Sequence, residues 1–154
     1  MPRLLTILIL LPVAGAFAAV LYSLAAKREE HHKWIALITT TATFVVSLLL
    51  LRGIGASGAE FRFEENISWI GSIGARYHIA VDGISLWLVL LTTLLMPIAI
   101  LSSWTAIRKR QLSYYVFLLI LESAMIGVFV SLDLLLFYLF FEASLVPMFF
   151  LIGI

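Results

Sequence analysis

Apolar residues run through this chain in five long stretches separated by short polar breaks. Leu4 to Ala26 gives 23 residues without a charge, Trp34 to Leu51 gives 18, and Gly83 to Ile107 gives 25. Each reaches the roughly 18–20 residues a helix needs to cross a hydrocarbon core. Two more stretches, about 112–131 and 134–153, are interrupted only by Glu122 and Glu142. The pattern predicts an all-α integral membrane protein, a single transmembrane domain over 1–154. Its five helices are expected at about 4–26, 34–51, 83–104, 112–131 and 134–153. Residues 52–82 form the one sizeable extramembrane connection.

Local chemistry refines these elements. The first run continues past Ala14, Gly15 and Ala16 to Ala26, longer than the apolar core of a cleaved signal peptide, so it reads as a retained span. Gly53, Gly55 and Gly58 open the long connection as turn material. Beyond them Ala59, Phe61 and Phe63 alternate with Glu60, Arg62 and Glu64, the period of a short surface strand. Asp82 is placed to cap the third helix and Asp133 the fifth. His31 and His32, between Glu30 and Lys33, read as a solvated loop, and His78 as an interfacial anchor. Trp34, Trp69, Tyr77, Trp104, Tyr114 and Tyr115 fall near helix ends, as an aromatic belt would.

Composition agrees with a lipid-facing surface. Of the 154 residues, 63% are hydrophobic and 12% charged, about half the charge of an ordinary soluble domain. A net charge of +1 with scattered basic residues speaks against a nucleic-acid partner. Cysteine is absent, which removes disulfides, thiolate metal sites and iron–sulfur ligation from this chain. Lys27, Arg28, Lys33, Arg108, Lys109 and Arg110 sit in two short loops, whereas Arg3, Arg52, Arg62 and Arg76 are dispersed. Positive charge in short loops marks the cytoplasmic face, so the N-terminus is expected outside, in a multi-pass arrangement.

Glu142 and Glu122 are the candidate functional groups. Each lies nine or ten residues into its span, about 13–15 Å at 1.5 Å per residue, near the midplane of a ~30 Å core. An acidic side chain at that depth costs about 2.5–3.5 kcal/mol on insertion scales. Two on consecutive helices therefore point to proton transport, because a carboxyl switched between charged and neutral states is what a proton relay needs. The alternative is a neutral carboxyl that only holds helices together. Tyr138, four residues before Glu142, is expected to share its face. Pro147, five residues after, cannot donate to the Ala143 carbonyl, which suggests a broken helix beside a hydrated path. Pro97 offers a similar kink in the third span. No metal site, nucleotide loop or catalytic nucleophile motif is visible.

Two stretches carry a family resemblance. Tyr77-His78-Ile79-Ala80-Val81-Asp82-Gly83-Ile84-Ser85-Leu86 resembles the opening of the third helix in the subunit M family. These are antiporter-like membrane subunits of proton-translocating NADH:quinone oxidoreductase, respiratory complex I. Leu132 to Met148, with Phe137-Tyr138-Leu139-Phe140-Phe141-Glu142-Ala143-Ser144-Leu145-Val146-Pro147 at its centre, looks like that family's fifth helix. The resemblance implies that Glu142 is the fifth-helix glutamate assigned to proton translocation, paired with a lysine two helices later, and that Glu122 is a fourth-helix glutamate found in many members. It also implies a 14-helix architecture, so the chain looks like an N-terminal fragment of a longer subunit.

The resemblance further implies a translocase subunit without a cofactor of its own. NADH, FMN, iron–sulfur clusters and quinone belong on partner subunits, the neighbours are other membrane-arm subunits and the lipid bilayer, and a bacterial plasma membrane is the expected location. A subunit of an Mrp-type cation/proton antiporter or a membrane-bound hydrogenase shares the fold and is the alternative. A structural membrane scaffold is a further one.

Overall fold

The computed structural model describes residues 4–26, 31–49, 62–70, 72, 75–81, 83–105 and 111–152. It contains α1 (Leu4–Ala26), α2 (His32–Leu48), β1 (Arg62–Ile70), β2 (Ala75–Val81), α3 (Gly83–Ser102), α4 (Gln111–Val130) and α5 (Leu134–Ile152). Four helices, α1, α3, α4 and α5, are long and apolar enough to cross a membrane. At 17 residues α2 spans about 25 Å. It begins two residues before the first apolar position, because His31 and His32 are not a solvated loop. His32 opens the helix and is 1% exposed. The Tyr22 hydroxyl on α1 hydrogen-bonds to the Nδ1 atom of His31.

The helical membrane architecture carries one addition, a two-stranded antiparallel hairpin in the connection between α2 and α3. Arg62 pairs with Val81, Asn66 with His78 and Ser68 with Arg76, with register irregularities between Arg62 and Glu65 and between Ser68 and Ile70. The strand anticipated around 59–64 thus runs from 62 to 70, and 59–61 lie outside the described residues. The Tyr77–Val81 segment, read as a helix approach, is strand. Its pairing is extended by the α4–α5 turn: Leu132 N–H donates to the His78 carbonyl at 2.8 Å, and Ile79 bridges Ser131. The Tyr77 hydroxyl bonds Thr6 Oγ1 on α1 at 2.8 Å. The hairpin therefore closes one end of the bundle. Asp82, Arg3 and the basic residues at 27, 28, 52 and 108–110 fall outside the described residues.

α4 is the central helix, packed against α1, α2, α3 and α5. In lipid, where apolar faces gain nothing by meeting, helices associate through close packing of small side chains and through interhelical hydrogen bonds. Both devices are present. Gly15 on α1 lies so close to the Thr39 side chain on α2, and Gly127 on α4 so close to the Phe140 ring on α5, that a Cβ at either position would collide. Ser123 Oγ donates to the Ile9 carbonyl at 2.5 Å, fastening α4 to α1. Ser47 Oγ and Thr93 Oγ1, 2.9 Å apart and buried, fasten α2 to α3. Gly127→Val is expected to overpack the α4–α5 contact and destabilise it by about 1–3 kcal/mol. A lower thermal-unfolding midpoint of the full-length protein in detergent would report this, and an unchanged midpoint would show that the ring moves aside freely.

The turn into α5 is specified by one side chain. Asp133 Oδ2 accepts from the Leu136 N–H at 3.3 Å, the N-cap bond to the third residue of the helix. α5 then runs unbroken through Pro147 to Ile152. The break anticipated at Pro147 is absent, and α3 likewise continues through Pro97. A proline deep in a helix forfeits one hydrogen bond, and here the helix continues around a buried Pro147, with Ser144 Oγ bonding the Phe141 carbonyl at 2.6 Å one turn before it.

Candidate intramembrane carboxyl site

The sequence puts acidic residues on two consecutive helices joined by the turn 131–133, which makes their depths directly comparable. Glu122 lies eight residues before the end of α4 at Val130, and Glu142 eight residues after the start of α5 at Leu134. At 1.5 Å per residue, both are about 12 Å from the turn. They share a depth but not a face.

Glu122 points into the bundle and is 0% exposed. Along α4 it falls between two apolar clusters. Tyr115, Leu118 and Leu119 pack with Ala16, Ala36, Met96 and Ile100 on one side. Ile126 and Val130 pack with residues of α1, α3, β2 and α5 on the other. Both carboxyl oxygens of Glu122 lack a hydrogen-bond partner among the described residues, as does the buried Tyr115 hydroxyl. Fewer than about one buried polar group in ten goes unpaired in folded proteins. An acid left this way on a central helix is an anomaly among buried polar groups.

Glu142 is exposed on the bundle's outer surface. Its neighbour one turn back, Tyr138, is 55% exposed, while Pro147 faces inward. α5 is the least covered of the four apolar spans: 17% of it is buried, against 39–50% in the other three. The structure thus sets Tyr138 and Glu142 on the open side of the bundle, apart from Glu122.

Several buried polar groups escaped the reading of the sequence. On α2, His32, Ala36, Thr40, Thr43 and Ser47 form the buried face. Their spacing of three or four residues is the helical signal that would have identified a polar interior stripe. On α3, Thr92 and Thr93 are buried as well. Most of these hydroxyls donate to a carbonyl one turn back, as Thr40 does to Ala36 at 2.9 Å and Thr92 to Leu88 at 2.9 Å. They carry no charge and interrupt no apolar run, so hydropathy passes over them. Tyr115, assigned to the interfacial belt, is 0% exposed and belongs to the core.

The chain is similar throughout its length to known membrane subunits. It is 47% identical to NADH-quinone oxidoreductase subunit M of Rhodobacter capsulatus, over 100% of this chain and 30% of that protein. It is 42% identical to NADH-ubiquinone oxidoreductase chain 4 of Mycosarcoma maydis, over 98% of this chain and 31% of the relative. The chain 4 protein of Arabidopsis thaliana is also 42% identical, over 96% of this chain and 29% of its own length. No family model matches. The chain spans about 30% of the length of these relatives, and the part it matches is their N-terminal part. A multi-helix membrane bundle and identity along the whole chain agree: the chain is homologous throughout to the N-terminal part of the proteins named NADH-quinone oxidoreductase subunit M and NADH-ubiquinone oxidoreductase chain 4, which are membrane antiporter-like subunits.

Proposed function

We propose that this chain acts as part of a proton-translocating membrane-arm subunit of NADH:quinone oxidoreductase, coupling quinone reduction to proton pumping through intramembrane carboxyls. The observation that carries the reading is Glu142, a carboxyl at mid-depth on the uncovered face of α5, in a chain whose relatives at 35–47% identity are named as subunits of that enzyme. Electron transfer then belongs to partner subunits. NADH, FMN, iron–sulfur clusters and quinone are held there, and residues 1–154 contribute one transmembrane domain that handles protons only.

In this reading Glu142 holds and passes the proton, and Tyr138, exposed beside it, offers a hydroxyl through which water can connect to it. Pro147 is inward-facing and supports α5 from the bundle side. Glu122 is a second carboxyl at the same depth, screened from lipid by the surrounding helices. The protein sits in an energy-converting membrane, the bacterial plasma membrane, with the N-terminus outside and the basic loops in the cytoplasm. The surrounding partners are the other membrane-arm subunits and lipid.

Deleting the gene that encodes this chain tests the reading. Inverted membrane vesicles from the deletion strain are expected to lose NADH-driven, quinone-dependent acidification, and a plasmid copy of the full-length gene should restore it. Undiminished NADH-driven acidification in the deletion strain, with loss of sodium-dependent pH recovery instead, would transfer the chain to the antiporter alternative.

A further inference from the structure

We propose that the polar layer at the level of Glu122 is a binding site for internal water, a small cluster that bridges its carboxyl to hydroxyl oxygens of α2 and α3. The inference uses only the packing of the bundle and holds whichever function the chain serves.

Two apolar clusters bracket this layer. One joins Ala36 of α2, Ile100 of α3 and Leu119 of α4. The other joins Val89 of α3 and Ile126 of α4, with Val46 of α2 packed against it. The three helices pack against one another, so each crosses from one cluster to the other. The buried polar side chains they carry between the clusters are Thr40 and Thr43 on α2, Thr92 and Thr93 on α3, and Glu122 and Ser123 on α4. None is more than 5% exposed. Several helices of this bundle wall the layer in, and its burial does not depend on what lies outside them.

The hydroxyl protons here are already committed. Thr40 Oγ1 donates to the Ala36 carbonyl at 2.9 Å, Thr43 Oγ1 to that of Thr39 at 2.8 Å, Thr92 Oγ1 to that of Leu88 at 2.9 Å and Thr93 Oγ1 to that of Leu90 at 3.0 Å. Ser123 Oγ spends its proton on the Ile9 carbonyl. A hydroxyl has one proton and two lone pairs, so each oxygen keeps acceptor capacity and has no proton left to offer. Pro97 adds to the surplus, because it has no N–H to give the Thr93 carbonyl one turn back. Glu122 brings two more oxygens, neither with a partner among the described residues.

The layer is therefore rich in acceptors and short of donors. Water corrects that imbalance. It donates twice and accepts twice, and a buried water typically makes about three hydrogen bonds to groups otherwise left unpaired. Ionisable residues at membrane depth characteristically face a bundle interior or a hydrated cavity. A few waters restore only part of the hydration an acid has in bulk, so Glu122 stays costly to bury even when bridged. A bare monovalent cation also suits oxygen ligands and is the competing occupant.

The test images the full-length protein in its natural membrane assembly by cryo-electron microscopy, at a resolution that shows ordered water elsewhere in the membrane interior. Samples are prepared in sodium buffer and in choline buffer. Density is expected within hydrogen-bond reach of a Glu122 carboxyl oxygen and of a hydroxyl of Thr40, Thr43, Thr92 or Thr93, unchanged between the buffers. At least one of Thr43→Val and Thr93→Val, which keep the side-chain shape and remove the hydroxyl, should lose that density. Thr41→Val, at an exposed position on α2, should keep it. The wild-type map decides the matter if the variants fail to assemble. Direct bonding of Glu122 to a protein group with no density between them would overturn the proposal. So would density that both variants leave intact, or density present in sodium and lost in choline, which marks a bound cation.

Discussion

Glu142→Gln in the full-length protein is expected to lower the rate of proton translocation by about tenfold or more, while the assembled complex keeps its subunits. A positioned acid–base group typically contributes about 10²–10⁴-fold to a proton-transfer step. The amide keeps the size and hydrogen-bonding capacity of the carboxyl but cannot exchange the proton. Glu142 is exposed on the face of α5 that this bundle leaves open, so the substitution disturbs little packing within these helices. The measurement is proton uptake against NADH oxidation in reconstituted vesicles, with subunit content checked on the same sample. A wild-type pumping rate together with wild-type stoichiometry in the variant would remove Glu142 from the proton route. A scaffold role predicts the opposite pattern, a silent Gln and an assembly defect with Leu.

Glu122→Met is expected to move stability and function in opposite directions. The carboxyl of Glu122 is 0% exposed and neither oxygen has a partner among the described residues. An unsatisfied buried polar group costs about 1–3 kcal/mol, and methionine fills a comparable volume with a flexible apolar chain. The full-length protein should therefore gain up to about 1–3 kcal/mol of resistance to unfolding and lose part of its proton translocation. Stability is read from denaturant midpoints in detergent and transport from the vesicle assay used for Glu142. If Met destabilises the protein, Glu122 serves as a structural hydrogen-bonding group, and its place on the proton route is withdrawn. Glu122→Gln separates the two roles further, because the amide is as polar as the acid and titrates no proton.

The helical spans were legible in the sequence because lipid imposes a coarse rule. A backbone without water must satisfy itself, and long uncharged runs have one way to do so. Four of the five runs form helices long and apolar enough to cross a membrane, and the fifth forms the shorter α2. The Asp133 cap was legible for a similarly local reason: a carboxylate three residues before an unpaired N–H has little else to do. The hairpin was seen only in part. Its residues alternate weakly, and the strand that pairs His78 with Asn66 also meets the far-off α4–α5 turn, where the Leu132 N–H donates to the His78 carbonyl.

Residue-by-residue orientation was the harder part. Counting residues gives position along a helix, and it put Glu122 and Glu142 near the middle of α4 and α5. It cannot say which way each points, because α4 and α5 are apolar on all sides and show no polar stripe to set their rotation. The rotation is fixed instead by close contacts such as Gly127 against Phe140 and by the Ser123–Ile9 hydrogen bond. These are pairings between residues 13 and 114 positions apart, which no local pattern encodes. His32 and Tyr115 illustrate the same limit. Each is polar enough to be assigned to a helix end, and each is enclosed by neighbours that arrive from other helices.

The equal distance of Glu122 and Glu142 from the α4–α5 turn has an electrical corollary. Carrying one proton across a whole membrane takes about 2.3 kcal/mol per 100 mV of potential. A proton exchanged between two groups at one depth travels parallel to the membrane plane and crosses almost none of that voltage. Work against the field then falls on the vertical legs, from each aqueous surface to this level. Variants that slow those legs should steepen the dependence of pumping on membrane potential, whereas variants that impair only the lateral step should lower the rate by the same factor at every potential.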